Sequence, residues 1–133
     1  MAGLRRLVAL AAVTLLATGC SSAPHVIHAR TVTLEPGPDG FAEVNLVMAA
    51  NATVAWSWTM TGGANYFDVH SHAGGAVVEH VRKLDQAKDA GNFTAPKAGQ
   101  YSLLWENYGA EPVSLHYEVT GNATLDPKYP PVP

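Results

Sequence analysis

The stretch Tyr66-Phe67-Asp68-Val69-His70-Ser71-His72 is the part of this 133-residue chain best equipped to bind a cation. In an extended backbone, successive side chains point to opposite faces. Phe67, Val69 and Ser71 then share one face, and Asp68, His70 and His72 share the other. Two imidazoles at i and i+2 on one strand face are neighbours, and neutral imidazole is a ligand for copper or zinc. Asp68 is either a third ligand or the acceptor that fixes the tautomer of a ligating histidine. His80 lies on the next segment, which reads as the partner strand of a hairpin. A two- or four-residue loop sets His80 opposite Val69, on the wrong face. A three-residue loop, Ala73-Gly74-Gly75, sets it opposite Asp68, on the right one, and the residues leave both registers open. The same strip also reads as a polar strand face that holds no metal. His25, His28 and His116 add imidazoles without a pattern. A blue-copper site of the cupredoxin kind is excluded, because it needs a cysteine thiolate and the single Cys20 is accounted for otherwise.

The three tryptophans are the other unusual groups. Trp56 and Trp58 share a strand face, and Trp105 lies on an aromatic-rich strand that pairs nearby. Indoles so placed build either a sandwich core or an aromatic platform for a sugar or peptide ligand. Catalysis has little support. There is no Gly-x-Ser-x-Gly, no His-Glu-x-x-His and no phosphate-binding glycine loop, and no motif pairs two carboxylates. The chain is therefore read as non-enzymatic. The sequons at Asn51, Asn92 and Asn122 are read as chance.

Strands must position these groups, and the composition agrees. Twelve glycines and nine prolines with only 14% charged residues point to many turns and an all-β domain. Thr31–Leu34, Phe41–Met48, Thr53–Thr61, Tyr66–His72, Val77–Arg82, a short segment at Phe93, Gln100–Tyr108 and Val113–Thr120 alternate or are β-rich. Turn clusters separate them, the strongest being Glu35-Pro36-Gly37-Pro38-Asp39-Gly40. Lys83–Ala90 is polar and reads as a loop or one helical turn. The expectation is a single antiparallel β-sandwich of seven or eight strands over 31–120, with Val54, Leu103, Leu115 and Tyr117 inward. Residues 20–30 read as a tether and 121–133 as an extended proline-rich tail.

Residues 1–19 read as a leader. Arg5 and Arg6 precede an apolar run, Leu7–Leu16, too short to span a membrane stably. Leu16-Ala17-Thr18-Gly19-Cys20 resembles the bacterial lipobox, although Ala17 stands where Leu is commoner. That resemblance implies cleavage before Cys20 and a diacylglycerol and fatty acyl (palmitate) anchor on the mature protein. It implies a lipoprotein of the cell envelope, in the outer membrane if the source is Gram-negative. Losing Arg5 and Arg6 takes the 8 basic residues to 6 against 11 acidic ones, so the mature chain carries a net charge of −5. With its cations scattered, the chain offers no patch for nucleic acid.

Gly91-Asn92-Phe93-Thr94-Ala95-Pro96, Gly99-Gln100-Tyr101-Ser102-Leu103, Trp105-Glu106-Asn107 and Val113–Val119 together are similar to the closing half of GOLD/p24-type domains. The resemblance covers about residues 45–120. It implies a β-sandwich with a binding or interaction role, and no cargo-receptor role, because the transmembrane helix and coiled coil of those receptors are missing from this chain. Asn107 reads as a turn-holding residue before Gly109. Two functions follow as expectations. The first is a lipid-anchored interaction module that binds an envelope protein or other ligand. The alternative is an extracytoplasmic copper- or zinc-binding protein built on Asp68, His70 and His72, with His80 if the register allows.

Overall fold

The computed structural model describes residues 24–133, so the leader and the lipidation expected at Cys20 lie outside the described residues. Among the described residues there are nine strands and no helix: β1 Val26–Leu34, β2 Phe41–Met48, β3 Thr53–Met60, β4 Asn65–Ala73, β5 Ala76–Leu84, β6 Lys88–Thr94, β7 Gly99–Asn107, β8 Val113–Gly121 and β9 Thr124–Leu125. They form two antiparallel sheets, one of order β1-β8-β3-β6 and one of order β5-β4-β7-β2-β9. This is the expected all-β sandwich.

The core lies between the sheets and follows the period-two pattern. Val54, Trp56, Trp58 and Met60 of β3 are buried, as are Val113, Leu115, Tyr117 and Val119 of β8. Ala42, Val44, Leu46 and Met48 of β2, with Tyr101, Leu103 and Trp105 of β7, face them from the second sheet. Burying each larger side chain contributes about 1.5–3 kcal/mol before chain entropy is counted. Phe67 of β4 sits among three indoles, its ring centroid 5.2 Å from Trp56, 5.6 Å from Trp58 and 5.3 Å from Trp105. Trp105 stacks on Tyr117 at 4.6 Å. The tryptophans are therefore core residues, each no more than 5% exposed, and none forms the aromatic ligand surface considered from sequence. Gly91 of β6 makes room for one of them, because a Cβ there would lie 2.6 Å from Cζ2 of Trp56.

Three expected boundaries move. Strand β1 begins at Val26, so much of the supposed tether pairs with β8 through His28↔Val119 and Arg30↔Tyr117. The polar segment read as loop or helix supplies the end of β5 and the start of β6, where Trp58↔Asp89 and Thr59↔Lys88 are paired. The tail is extended but not free. Thr124 and Leu125 pair with Val47 and Leu46, and Val132 forms a bridge with Glu43. Asn107 behaves as read. Its Oδ1 accepts from the Gly109 N–H at 2.9 Å, and its Nδ2 donates to the carbonyls of Leu34 and Glu111.

Candidate metal centre

The outer face of β4 is the face of Tyr66, Asp68, His70 and His72, as alternation requires. Asp68 and His70 are each 6% exposed, whereas His72 is open to solvent. The Asp68 carboxylate lies 2.6 Å from Nδ1 of His70. An ionised carboxylate only accepts, so Nδ1 carries the proton and the neutral ring presents its lone pair at Nε2. That Nε2 lies 3.2 Å from Nε2 of His72, with the rings at 76° to each other. Two nitrogen lone pairs facing each other repel unless a proton or a cation lies between them. Two metal–nitrogen bonds of ~2.0–2.1 Å at roughly 90–110° set their nitrogens about 3 Å apart. The pair is therefore already spaced as two ligands of one ion.

Glu43 completes the group. It lies on β2, with β7 between it and β4, through the registers Glu43↔Leu104 and Asp68↔Leu104. Its Oε1 is 3.8 Å from Nε2 of His70, and ligand atoms of Glu43, His70 and His72 all lie within 4.8 Å of one another. Glu43, Asn45, His72, Gln100 and Tyr129 line a cleft of about 320 Å³ on this side of the sheet.

The surroundings are acidic. The Tyr66 hydroxyl is 2.8 Å from Asp68 Oδ2 and 2.7 Å from Glu79 Oε2, and its single proton serves one carboxylate at a time. Burial, then the hydrogen bonds to Glu79 and Asp68, push the Tyr66 hydroxyl above the usual phenol range. The hydrogen bond to Asp68 raises the His70 pKa above that of free imidazole. Burial opposes this, and the charges of Asp68, Glu43 and Glu79 add to it. Among the described residues, no lysine or arginine forms an ion pair with Glu43, Asp68 or Glu79. Arg82 lies over the Tyr66 ring, 5.6 Å from its centroid. Three carboxylates around two imidazoles leave a negative field that favours a cation.

The other histidines stay apart. The hairpin turns on Gly74 and Gly75, both at positive φ, so Ala73 pairs with Ala76 and His72 with Val77. This is the two-residue loop, and a bulge then leaves His80 between the pairs Val69↔Val81 and His70↔Glu79. His80 points to the inner face. It meets Ser71 Oγ at 2.9 Å and packs on the rings of Phe93 and Tyr101 at 4.9 and 5.7 Å. His80 is thus removed from the candidate ligand set. Ser71 itself is 5% exposed. His116 bonds Thr31 on the outer face of the four-stranded sheet, and His28 lies beside Tyr117. Reasoning from sequence missed Glu43, Tyr66 and Glu79. Alternation in Phe41–Met48 does put Glu43 on an outer face, but only the strand order brings that face to His70.

No protein-family model matches the chain, and no curated sequence matches it. Solved structures do. The chain is similar to the Yersinia pseudotuberculosis-derived mitogen (TM-score 0.56, 12% identity, 81% of this chain and 99% of that one). It is also similar to the pre-peptidase C-terminal domain of a Bacillus anthracis collagenase (0.52, 17%, 68% and 88%). A third similar structure is Aeromonas hydrophila PliG, a periplasmic inhibitor of g-type lysozyme (0.51, 16%, 74% and 88%). At these identities the likeness is one of fold.

Proposed function

We propose that this chain is a non-catalytic binding module of the cell envelope whose ligand is a divalent transition-metal ion. The ion is held by Nε2 of His70, Nε2 of His72 and the Glu43 carboxylate. Asp68 holds the His70 ring rather than the ion. One observation carries the reading: the two Nε2 atoms converge at 3.2 Å while the far nitrogen of His70 is tied to a carboxylate. That carboxylate–histidine arrangement raises ligand basicity and fixes the ring. Two imidazoles with one carboxylate suit copper(II) and zinc, and the affinity order of divalent ions puts copper(II) first. The lipobox supports anchoring through Cys20 at a membrane surface, in the outer membrane if the source is Gram-negative.

The test is elemental analysis of the purified full-length protein after equilibration with copper(II) or zinc and dialysis. The reading expects one ion per chain in the wild type and none in His70→Ala. Metal retained equally by both overturns it. For the anchor, labelled fatty acid enters the wild type and not Cys20→Ala.

A second reading, a sandwich that binds an envelope protein, is favoured by the likeness to the lysozyme inhibitor. Partner binding that persists unchanged in His70→Ala, together with no bound metal in the wild type, selects it.

A further inference from the structure

We infer that the C-terminal segment Asp126–Val132 is the arm that positions Glu43 for the ion, an inference that rests on the metal reading above. The segment has no core of its own, yet it is fixed along the outer edge of β2. The Val132 N–H donates to the Glu43 carbonyl at 3.0 Å, and the Glu43 N–H donates to the Val132 carbonyl at 3.2 Å. Nearer the strand end, the Asp126 N–H donates to the Asn45 carbonyl at 2.9 Å. Asp126 Oδ1 accepts from the Lys128 N–H at 2.9 Å, turning the chain so that Tyr129 reaches the cleft beside Glu43 and His72. Both main-chain groups of the carboxylate ligand are thus held by one residue of the arm.

The chemistry of the arm suits this work. Pro127, Pro130 and Pro131 lock φ at three of its seven positions, and Pro133 follows it. A stiff segment loses less entropy on docking than a flexible one. The other two proposed ligands need no such help, because they share β4, which is paired on both sides by β5 and β7. Glu43 is the one ligand from another strand. Next to it on the outer side, among the described residues, β2 is met by a two-residue strand, a single bridge and the Asp126–Asn45 hydrogen bond. Such an edge opens locally more readily than the sheet interior. Docking of the arm and seating of the ion then become one coupled equilibrium, and coupling runs both ways.

Val132 is accordingly a positioning residue. Val132→Pro removes the N–H that bonds Glu43 and leaves the arm's length unchanged. The experiment titrates copper(II) alone into the full-length wild type, Val132→Pro, Glu43→Gln and the double variant. The expected result is a loss of about tenfold in affinity for Val132→Pro, as for other groups that orient a ligand. In the Glu43→Gln background the same change should have no further effect. Unchanged affinity in Val132→Pro, or an equal loss in both backgrounds, overturns the arm's role and leaves the metal site standing. No binding by the wild type overturns the site itself, and the arm with it. If Val132→Pro does not fold, hydrogen exchange in the wild type decides. Zinc must slow exchange at the Val132 and Glu43 amides, and unchanged exchange there, with zinc bound, contradicts the inference.

Discussion

Asp68 Oδ1 and His70 Nδ1 lie 2.6 Å apart, two residues along one strand, and both side chains are nearly closed to water. Strand alternation alone creates that pair. Its consequence is that the Nε2 end of the His70 ring is fixed in direction and supplied with electron density by a buried anion.

Asp68→Asn keeps the shape and removes the charge. Metal affinity should fall by roughly 10–100-fold while the protein stays folded. Calorimetric titration with copper(II) checks this, and unchanged affinity would mean that the ring needs no carboxylate behind it.

The same pair gives the metal-free protein a pH signature. The folded His70 pKa is raised, chiefly by the Asp68 hydrogen bond. The protonated ring is therefore favoured by folding. Its stabilising contribution is complete below the unfolded imidazole value of about 6.5 and fades as pH rises through the higher folded value. With metal removed, the melting advantage of wild type over His70→Gln should be larger at pH 6 than at pH 9. An advantage that grows with pH contradicts the assignment.

Most of the fold was legible because each sheet packs one face against the other sheet, so apolar residues recur at every second position. Val54, Leu103, Leu115 and Tyr117 are all fully buried, as the alternation required. The histidine pair was legible for the same reason, since i and i+2 on a strand need no knowledge of neighbours. Glu43 was not, because it is brought to His70 across the intervening strand β7, and strand order is not a local property. His80 hung on the hairpin register. The positive φ at both Gly74 and Gly75 gives the two-residue turn, and the bulge that follows is not marked by any residue type. The tail misled for a physical reason as well. Prolines suit an edge position, and four of them conceal a segment that nonetheless supplies hydrogen bonds from Val132 and Asp126.

Gly91 should not tolerate a methyl group. The Trp56 ring occupies the space a Cβ needs, and Trp56 is tied to Asp89 Oδ2 at 2.9 Å, so it has little freedom to yield. Gly91→Ala should cost about 1–3 kcal/mol in urea unfolding and shift the tryptophan fluorescence. Copper(II) affinity should be unchanged, because the site lies on the other sheet. A neutral effect on stability would show that the indole repacks freely.

Asn107→Ala should cost about 2–4 kcal/mol. It strands the buried carbonyl of Leu34 and loses bonds to Glu111 and Gly109. Denaturant unfolding measures the loss, and a change under 1 kcal/mol would mean that water replaces the amide.

The most direct test of the central claim is the melting temperature of the full-length protein at neutral pH, with and without copper(II) or zinc. An ion that binds only the folded state stabilises it by about 2.7 kcal/mol when free metal is a hundredfold above Kd. The wild type, His80→Ala and His116→Ala should therefore melt several degrees higher with metal, whereas His70→Ala and His72→Ala should show no rise. A wild type that melts at the same temperature with and without either metal, or a rise that survives His70→Ala, contradicts the account.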